Sequence, residues 1–168
     1  MHTLILAPFT DMYSETSNML MRIDDEWDNV DVQTIHMNLY DSYWQTLGDY
    51  WTGVEDIIVV EQDIVPTLDQ LNSLLNCTEI WCAYAYEYMD TTHAGLGLCK
   101  FSATLQRLYP DTIRETSKES TDAHPMNHWC NLDDRIRRVL TRYGVSQHIH
   151  EGLAVHLSPQ PSHGCNLV

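Results

Sequence analysis

The chain has 168 residues, 43% of them apolar and 20% charged, enough for one domain that buries roughly two-thirds of its unfolded surface. Such a composition excludes a disordered tract, a collagen-like repeat and a disulfide-packed mini-protein. A net charge of −15 gives it no electrostatic reason to sit on a phosphate backbone or an anionic bilayer. The charge is uneven: residues 1–63 hold 13 acids and one base, Arg22, while the remainder holds 11 acids and eight bases. The N-terminal part therefore suits a cation, and only the C-terminal part offers Arg and Lys to an anion.

In chain order, Thr3–Phe9 reads as a buried opening strand closed by Pro8 and a Thr-Asp turn. Met12–Trp27 carries apolar residues at helical spacing, with Thr10 or Asp11 as its cap. Val32–Leu39 reads as a second strand, and Asp41–Gly53 as a helix stopped by Gly53. Ile57–Val60 is an unbroken β-branched run, the pattern of a strand covered on both faces. Pro66 and Thr67 open a helix through Leu75, and Ile80–Ala85 is a further strand. Gly95–Phe101 reads as a strand entered through glycines, followed by a short helix over Ser102–Tyr109. Asp111–Asn127 is polar and reads as a loop, Leu132–Tyr143 as a helix ended by Gly144, and His148–Leu157 as a last strand. The alternation predicts a single α/β domain over residues 1–157 with a mostly parallel sheet flanked by helices, and a tail over 158–168. Ligands of such sheets bind beyond the strand carboxyl ends, here Pro8–Asp11, Glu61–Asp63 and the segment after Ala85.

Five cysteines without a CxxC, behind an N-terminus that lacks a basic signal region, predict reduced thiols and a cytoplasmic protein. Without an apolar run of 18 residues, no membrane span is expected. The ending Cys165-Asn-Leu-Val is a poor prenylation box, because Asn does not fit its aliphatic position.

Five groups of residues could carry chemistry. Glu61 and Asp63 share one side of an extended segment, so they either hold a hard cation such as Mg²⁺ or Mn²⁺ or form a solvated acidic turn. His148, His150 and His156 are either a Zn²⁺ site or ordinary histidines, and Glu151-Gly152 is expected to break the strand between them. Asp133 and Asp134, in the first turn of a helix, are either caps or include a general base. Tyr84, Tyr86 and Tyr88 alternate, which makes either a half-exposed strand face or a surface for sugar rings. His128-Trp129 adds a hydrogen-bonding group and a stacking surface, whereas Gly95-Leu96-Gly97 is too short for a phosphate-binding fingerprint.

Taken together, IIVVEQDIVPTLDQLNSLL, CTEIWCAYAY, GLGLCKFSATL, HWCNLDDRIRRVLTRYGV and HIHEGLAVH resemble compact GT-A-fold glycosyltransferase-like proteins found in bacteriophages and actinobacteria. The resemblance spans about Asp56 to Leu157. It implies a metal-dependent glycosyltransferase acting on a sugar-nucleotide donor. Glu61 and Asp63 match the family's Asp-X-Asp motif, with Glu in place of the first Asp, and His156 matches a histidine that completes the shell of Mn²⁺ or Mg²⁺. Asp133 or Asp134 would be the base. Thr10, Asp11, Tyr13 and Gln62 would serve the donor nucleotide, and Tyr84, Tyr86, Gly97, His128 and Trp129 the sugar or acceptor. The short chain implies a minimal acceptor-binding half, or one completed by a second copy or a partner protein. Two rival readings stand beside it: a Zn²⁺ hydrolase built on His148, His150 and His156, and a catalytically silent binding domain of the same fold.

Overall fold

A computed structural model describes residues 2–39, 41–88, 91–119 and 132–157. His128, Trp129, Cys130, Cys165 and the tail over 158–168 lie outside these residues. Among the described residues, eight strands and six helices follow in the order β1 (Thr3–Phe9), α1 (Ser14–Glu26), β2 (Val30–His36), α2 (Ser42–Tyr50), β3 (Asp56–Val60), β4 (Ile64–Val65) and α3 (Leu68–Asn76). They continue with β5 (Trp81–Tyr88), β6 (Thr91–His93), β7 (Leu98–Phe101), α4 (Ala103–Leu108), α5 (Thr112–Thr116), α6 (Leu132–Arg142) and β8 (His148–His156).

The strands form one sheet in the order β2-β1-β3-β7-β5-β8-β4, with β6 hydrogen-bonded to β5. β1, β2, β3, β5 and β8 run in one direction; β4, β6 and β7 run against it. Alternation along β3 explains why its run is wholly apolar. Ile57 and Val59 pack on one face with Tyr43 and Leu47 of α2, Leu105 of α4, Ile113 of α5 and Ile136 and Leu140 of α6. Ile58 and Val60 pack on the other with Leu20 and Ile23 of α1 and Leu71 and Leu74 of α3. A strand covered on both faces has no polar side to show.

Local chemistry sets the helix ends. Thr67 and Gln70 form a reciprocal capping box at the start of α3. Gly144, at φ +77°, follows α6; its N–H donates to Thr141 O and that of Val145 to Leu140 O, a Schellman ending.

Several boundaries depart from the sequence reading. The N-cap of α1 is Tyr13, not Thr10 or Asp11, because the backbone at Thr10 and Asp11 is tied to Gln62. α2 ends at Tyr50, three residues before Gly53. Gly53 instead sits at φ +74° in a turn pinned by Gln106 and Arg107 of the α4 region. The segment read as a loop from Asp111 holds the short α5, whose Ile113 and Thr116 are buried. β4 and β6 escape a sequence reading, since two or three residues become a strand only through a neighbour. β4 is fixed by β8 and by the hydroxyl of Thr16, which donates to Ile64 O at 3.1 Å.

Among the described residues, no helix is long and apolar enough to cross a membrane. Cys77, Cys82 and Cys99 are free thiols.

Candidate active site at the strand carboxyl ends

β3 delivers Glu61, Gln62 and Asp63 just past its carboxyl end, and each does something different. The backbone N–H of Glu61 donates to Gly97 O at 2.9 Å, which holds the segment against the entry to β7. Its side chain accepts a 3.4 Å hydrogen bond from the Tyr43 hydroxyl of α2. Burial, then the nearby charges of Asp63 and Asp133, push the Glu61 carboxyl up to about 8. Gln62 turns the other way: its Oε1 accepts from Thr10 N at 2.6 Å, Thr10 Oγ1 at 3.2 Å and Asp11 N at 3.2 Å. One amide oxygen thus fixes the loop after β1.

Asp63 reaches β8. Ile64 pairs with His156 across the antiparallel ladder, Leu157 N donates to Asp63 O at 2.8 Å, and His156 Nε2 lies 3.2 Å from Asp63 Oδ2. The His156 side chain is only 7% exposed, stacked on Tyr86 with ring centroids 5.3 Å apart and edge-on to Tyr88. His93 of β6 stacks on the same Tyr86 at 6.1 Å.

Asp133 approaches from α6. Burial is the main cause that raises its carboxyl above the usual range; the charge of His93 works weakly against it. A Cβ on Gly95 would lie 2.3 Å from Asp133 Oδ2, so the carboxylate has room only because residue 95 has no side chain. Similarly, a Cβ on Gly97 would lie 2.6 Å from the Tyr86 ring. The Gly95–Gly97 segment is therefore a spacer between Asp133 and Tyr86. Asp134, one residue on, is engaged differently, in ion pairs with Arg137 and Arg138.

The structure brings Glu61, Asp63, Asp133, Tyr86, Gly97 and His156 into one neighbourhood, with Thr10, Asp11 and Gln62 beside it. Tyr13 stands at the start of α1, on the same β1–α1 loop. Tyr84 is elsewhere: it is buried in the core with Cys82 and Leu98 and stacks on His150. The predicted three-histidine set does not assemble. His148 and His150 lie opposite Cys82 and Tyr84 at the amino end of β5, while β8 carries His156 to the carboxyl end. The expected break at Glu151-Gly152 is a register shift against β5, with Gly152 at φ +90°. Burial and the neighbouring His148 hold His150 below its ordinary value.

Tyr43 and His93 were missed in the sequence. Tyr43 belongs to an amphipathic aromatic stripe that reads as core, and His93 stands on a three-residue strand that only β5 reveals. The basic residues set aside for an anion are largely committed. Lys100 is buried on Asp56 at 3.0 Å, Arg107 donates to Gly53 O at 2.6 Å, and Arg114 pairs with Asp111. Arg137 and Arg138 hold Asp134, and Arg142 holds Glu115 and Glu119.

No family model matches the chain, and no curated protein matches it in sequence. Solved structures do. The catalytic domain of Drosophila β1,4-galactosyltransferase 7, in complex with xylobiose, superposes with a TM-score of 0.60 at 11% identity, covering 95% of this chain and 72% of that one. The fold is GT-A-like. A197 from STIV matches with a TM-score of 0.57 at 12% identity over 95% of this chain and 87% of its own. A glycosyltransferase involved in glycosylation of the major capsid of PBCV-1 matches at 0.54 and 8% identity, covering 89% and 81%. Nucleotidyltransferases also share the architecture. At these identities the likeness is one of fold.

Proposed function

We propose that the chain is a metal-assisted glycosyltransferase that moves a sugar from a sugar-nucleotide donor to an acceptor hydroxyl. The observation that carries this reading is the meeting of Asp63 and His156 at 3.2 Å beside Glu61, whose carboxyl feels the charges of both Asp63 and Asp133, on a GT-A-like sheet.

The donor set suits a divalent cation by its chemistry. Glu61, Asp63 and His156 do not each bring a ligand atom within 4.8 Å of the others, so closing on an ion would take side-chain movement. Two carboxylates and an imidazole are an oxygen-rich set that suits Mg²⁺ or Mn²⁺. Glu61 is held protonated near neutrality first by burial and then by the charges of Asp63 and Asp133; a bound cation would offset both. Glu61, Asp63 and His156 would hold the ion. When bound, it would supply positive charge to the departing diphosphate, which the committed Arg and Lys side chains do not offer.

The remaining residues position and deprotonate. Gln62 fixes the Thr10–Asp11 loop, where the nucleoside would lie, with Tyr13 at its far end. Tyr86, held between His93 and His156, presents an aromatic edge to the sugar. Asp133 would accept the proton of the acceptor hydroxyl; its raised affinity for a proton suits that role, and Gly95 gives it the space. Asp134 would steady the first turn of α6 through its arginine partners.

The test is turnover. Incubation with a panel of sugar nucleotides and Mn²⁺ should release nucleoside diphosphate, by transfer or by slow hydrolysis, and Asp63→Asn should abolish the release. If every donor survives intact under conditions where the protein is folded, the catalytic reading fails and a silent binding domain takes its place.

A further inference from the structure

At the opposite end of β5 and β8 lies a second group of ligating side chains. Cys77 ends α3, and His148 and His150 open β8; one ligand atom from each lies within 4.8 Å of the others. We propose that Cys77, His148 and His150 form a Zn²⁺ site that ties the end of α3 to the start of β8. This inference does not rest on the glycosyltransferase reading.

Four observations carry it. First, the set is thiol and imidazole, which selects Zn²⁺ over the hard cations suited to Glu61 and Asp63. Second, the spacing is close to that required. Zn–S of about 2.3 Å and Zn–N of about 2.0–2.1 Å in a tetrahedron put ligand atoms roughly 3.3–3.7 Å apart, a closure that small side-chain rotations provide. Third, His150 Nε2 is buried without a hydrogen-bond partner, an arrangement that normally costs stability and that a metal would resolve. Fourth, the backbone at Cys77 is held in place. Lys100 Nζ donates to Cys77 O at 3.0 Å and to Leu75 O at 3.2 Å while paired with Asp56, and the Cys77 N–H donates to Leu74 O.

His148 and His150 are in edge-to-face contact, with ring centroids 4.8 Å apart. His148 is exposed, which gives an entering ion its path and leaves the fourth position to water. On binding, the Cys77 thiol releases its proton to solvent and ligates as thiolate.

Cobalt tests this directly. Purified, chelator-stripped protein titrated with Co²⁺ should develop a thiolate-to-metal charge-transfer band and intense tetrahedral ligand-field bands at one equivalent, and Zn²⁺ should displace both. Cys77→Ser should remove the charge-transfer band. His148→Ala, at an exposed position, should leave the fold intact and weaken Zn²⁺ binding by more than about tenfold, since even losing a partner that only orients a ligand costs that much. Asp111→Asn, a surface residue paired with Arg114, should leave the cobalt spectrum unchanged. A charge-transfer band that persists in Cys77→Ser, or only weak octahedral cobalt spectra in the parent, would overturn the site.

Discussion

Asp133→Asn is expected to slow sugar transfer by about 10²–10⁴-fold while leaving the protein folded. The two acids at the head of α6 look interchangeable in sequence, yet their surroundings differ. Asp133 is drawn inward, its carboxylate against Gly95 and its proton affinity raised by burial. It also accepts the N–H of Asp134 at 2.8 Å, a contact that an amide oxygen can keep, so the Asn variant preserves the local structure. What Asn cannot do is take a proton from the acceptor. Asp134 faces Arg137 and Arg138 instead, so Asp134→Asn should keep the parental rate and lose no more than about 1 kcal/mol of surface ion pairing. Parallel assays of the two variants, each checked for folding, decide the matter: equal rates in both would remove Asp133 as the base.

A second large effect is expected from Glu61 when pH is varied. In the folded, metal-free protein its carboxyl holds a proton up to about 8, whereas in the unfolded chain it lets go near the ordinary glutamate value of roughly 4.3. Between these limits the native state binds the extra proton, so stability falls as pH rises and levels off above about 8. The slope from this one group is at most about 1.4 kcal/mol per pH unit. Asp133 is raised too and contributes in the same direction. Glu61→Gln removes the Glu61 share, so the melting temperature of that variant should drop less between pH 5 and 8 than the parent's. Mn²⁺ should compete with the same proton, and its apparent affinity should rise by up to about tenfold per pH unit below pH 8. Affinity that ignores pH, or a Glu61→Gln variant with the parental pH profile, would separate Glu61 from the metal.

How far the sequence carried differs between fold and site. β1 and β8 are legible because each is an extended run with polar or glycine punctuation, and β3 because only a doubly covered strand is wholly β-branched. The capping box at Thr67 and the ending at Gly144 are local devices, readable without knowing the neighbours. By contrast, β4, β6 and α5 are too short to carry a period of their own and exist through packing.

The site divides in the same way. The i, i+2 spacing of Glu61 and Asp63 is visible in sequence, but their separate tasks depend on Tyr43 and on the β4–β8 register. The role of Gln62 as a brace for Thr10 and Asp11 joins residues 51 and 52 positions apart. The three-histidine grouping does not form because His156 lies six positions beyond His150, at the other end of β8. His148 and His150 found Cys77 instead, a partner from a helix end some seventy residues earlier.

The central claim is that the acidic cluster takes a divalent cation to receive a diphosphate, and thermal denaturation with nucleotides tests it most directly. Uridine or guanosine diphosphate should stabilise the protein more with Mn²⁺ than without it, by about 2.7 kcal/mol at one hundred times the dissociation constant. Asp63→Asn should lose that metal-dependent increment while keeping its fold. Identical shifts with and without Mn²⁺, for every nucleoside diphosphate tried, would contradict the account and take the metal out of this site.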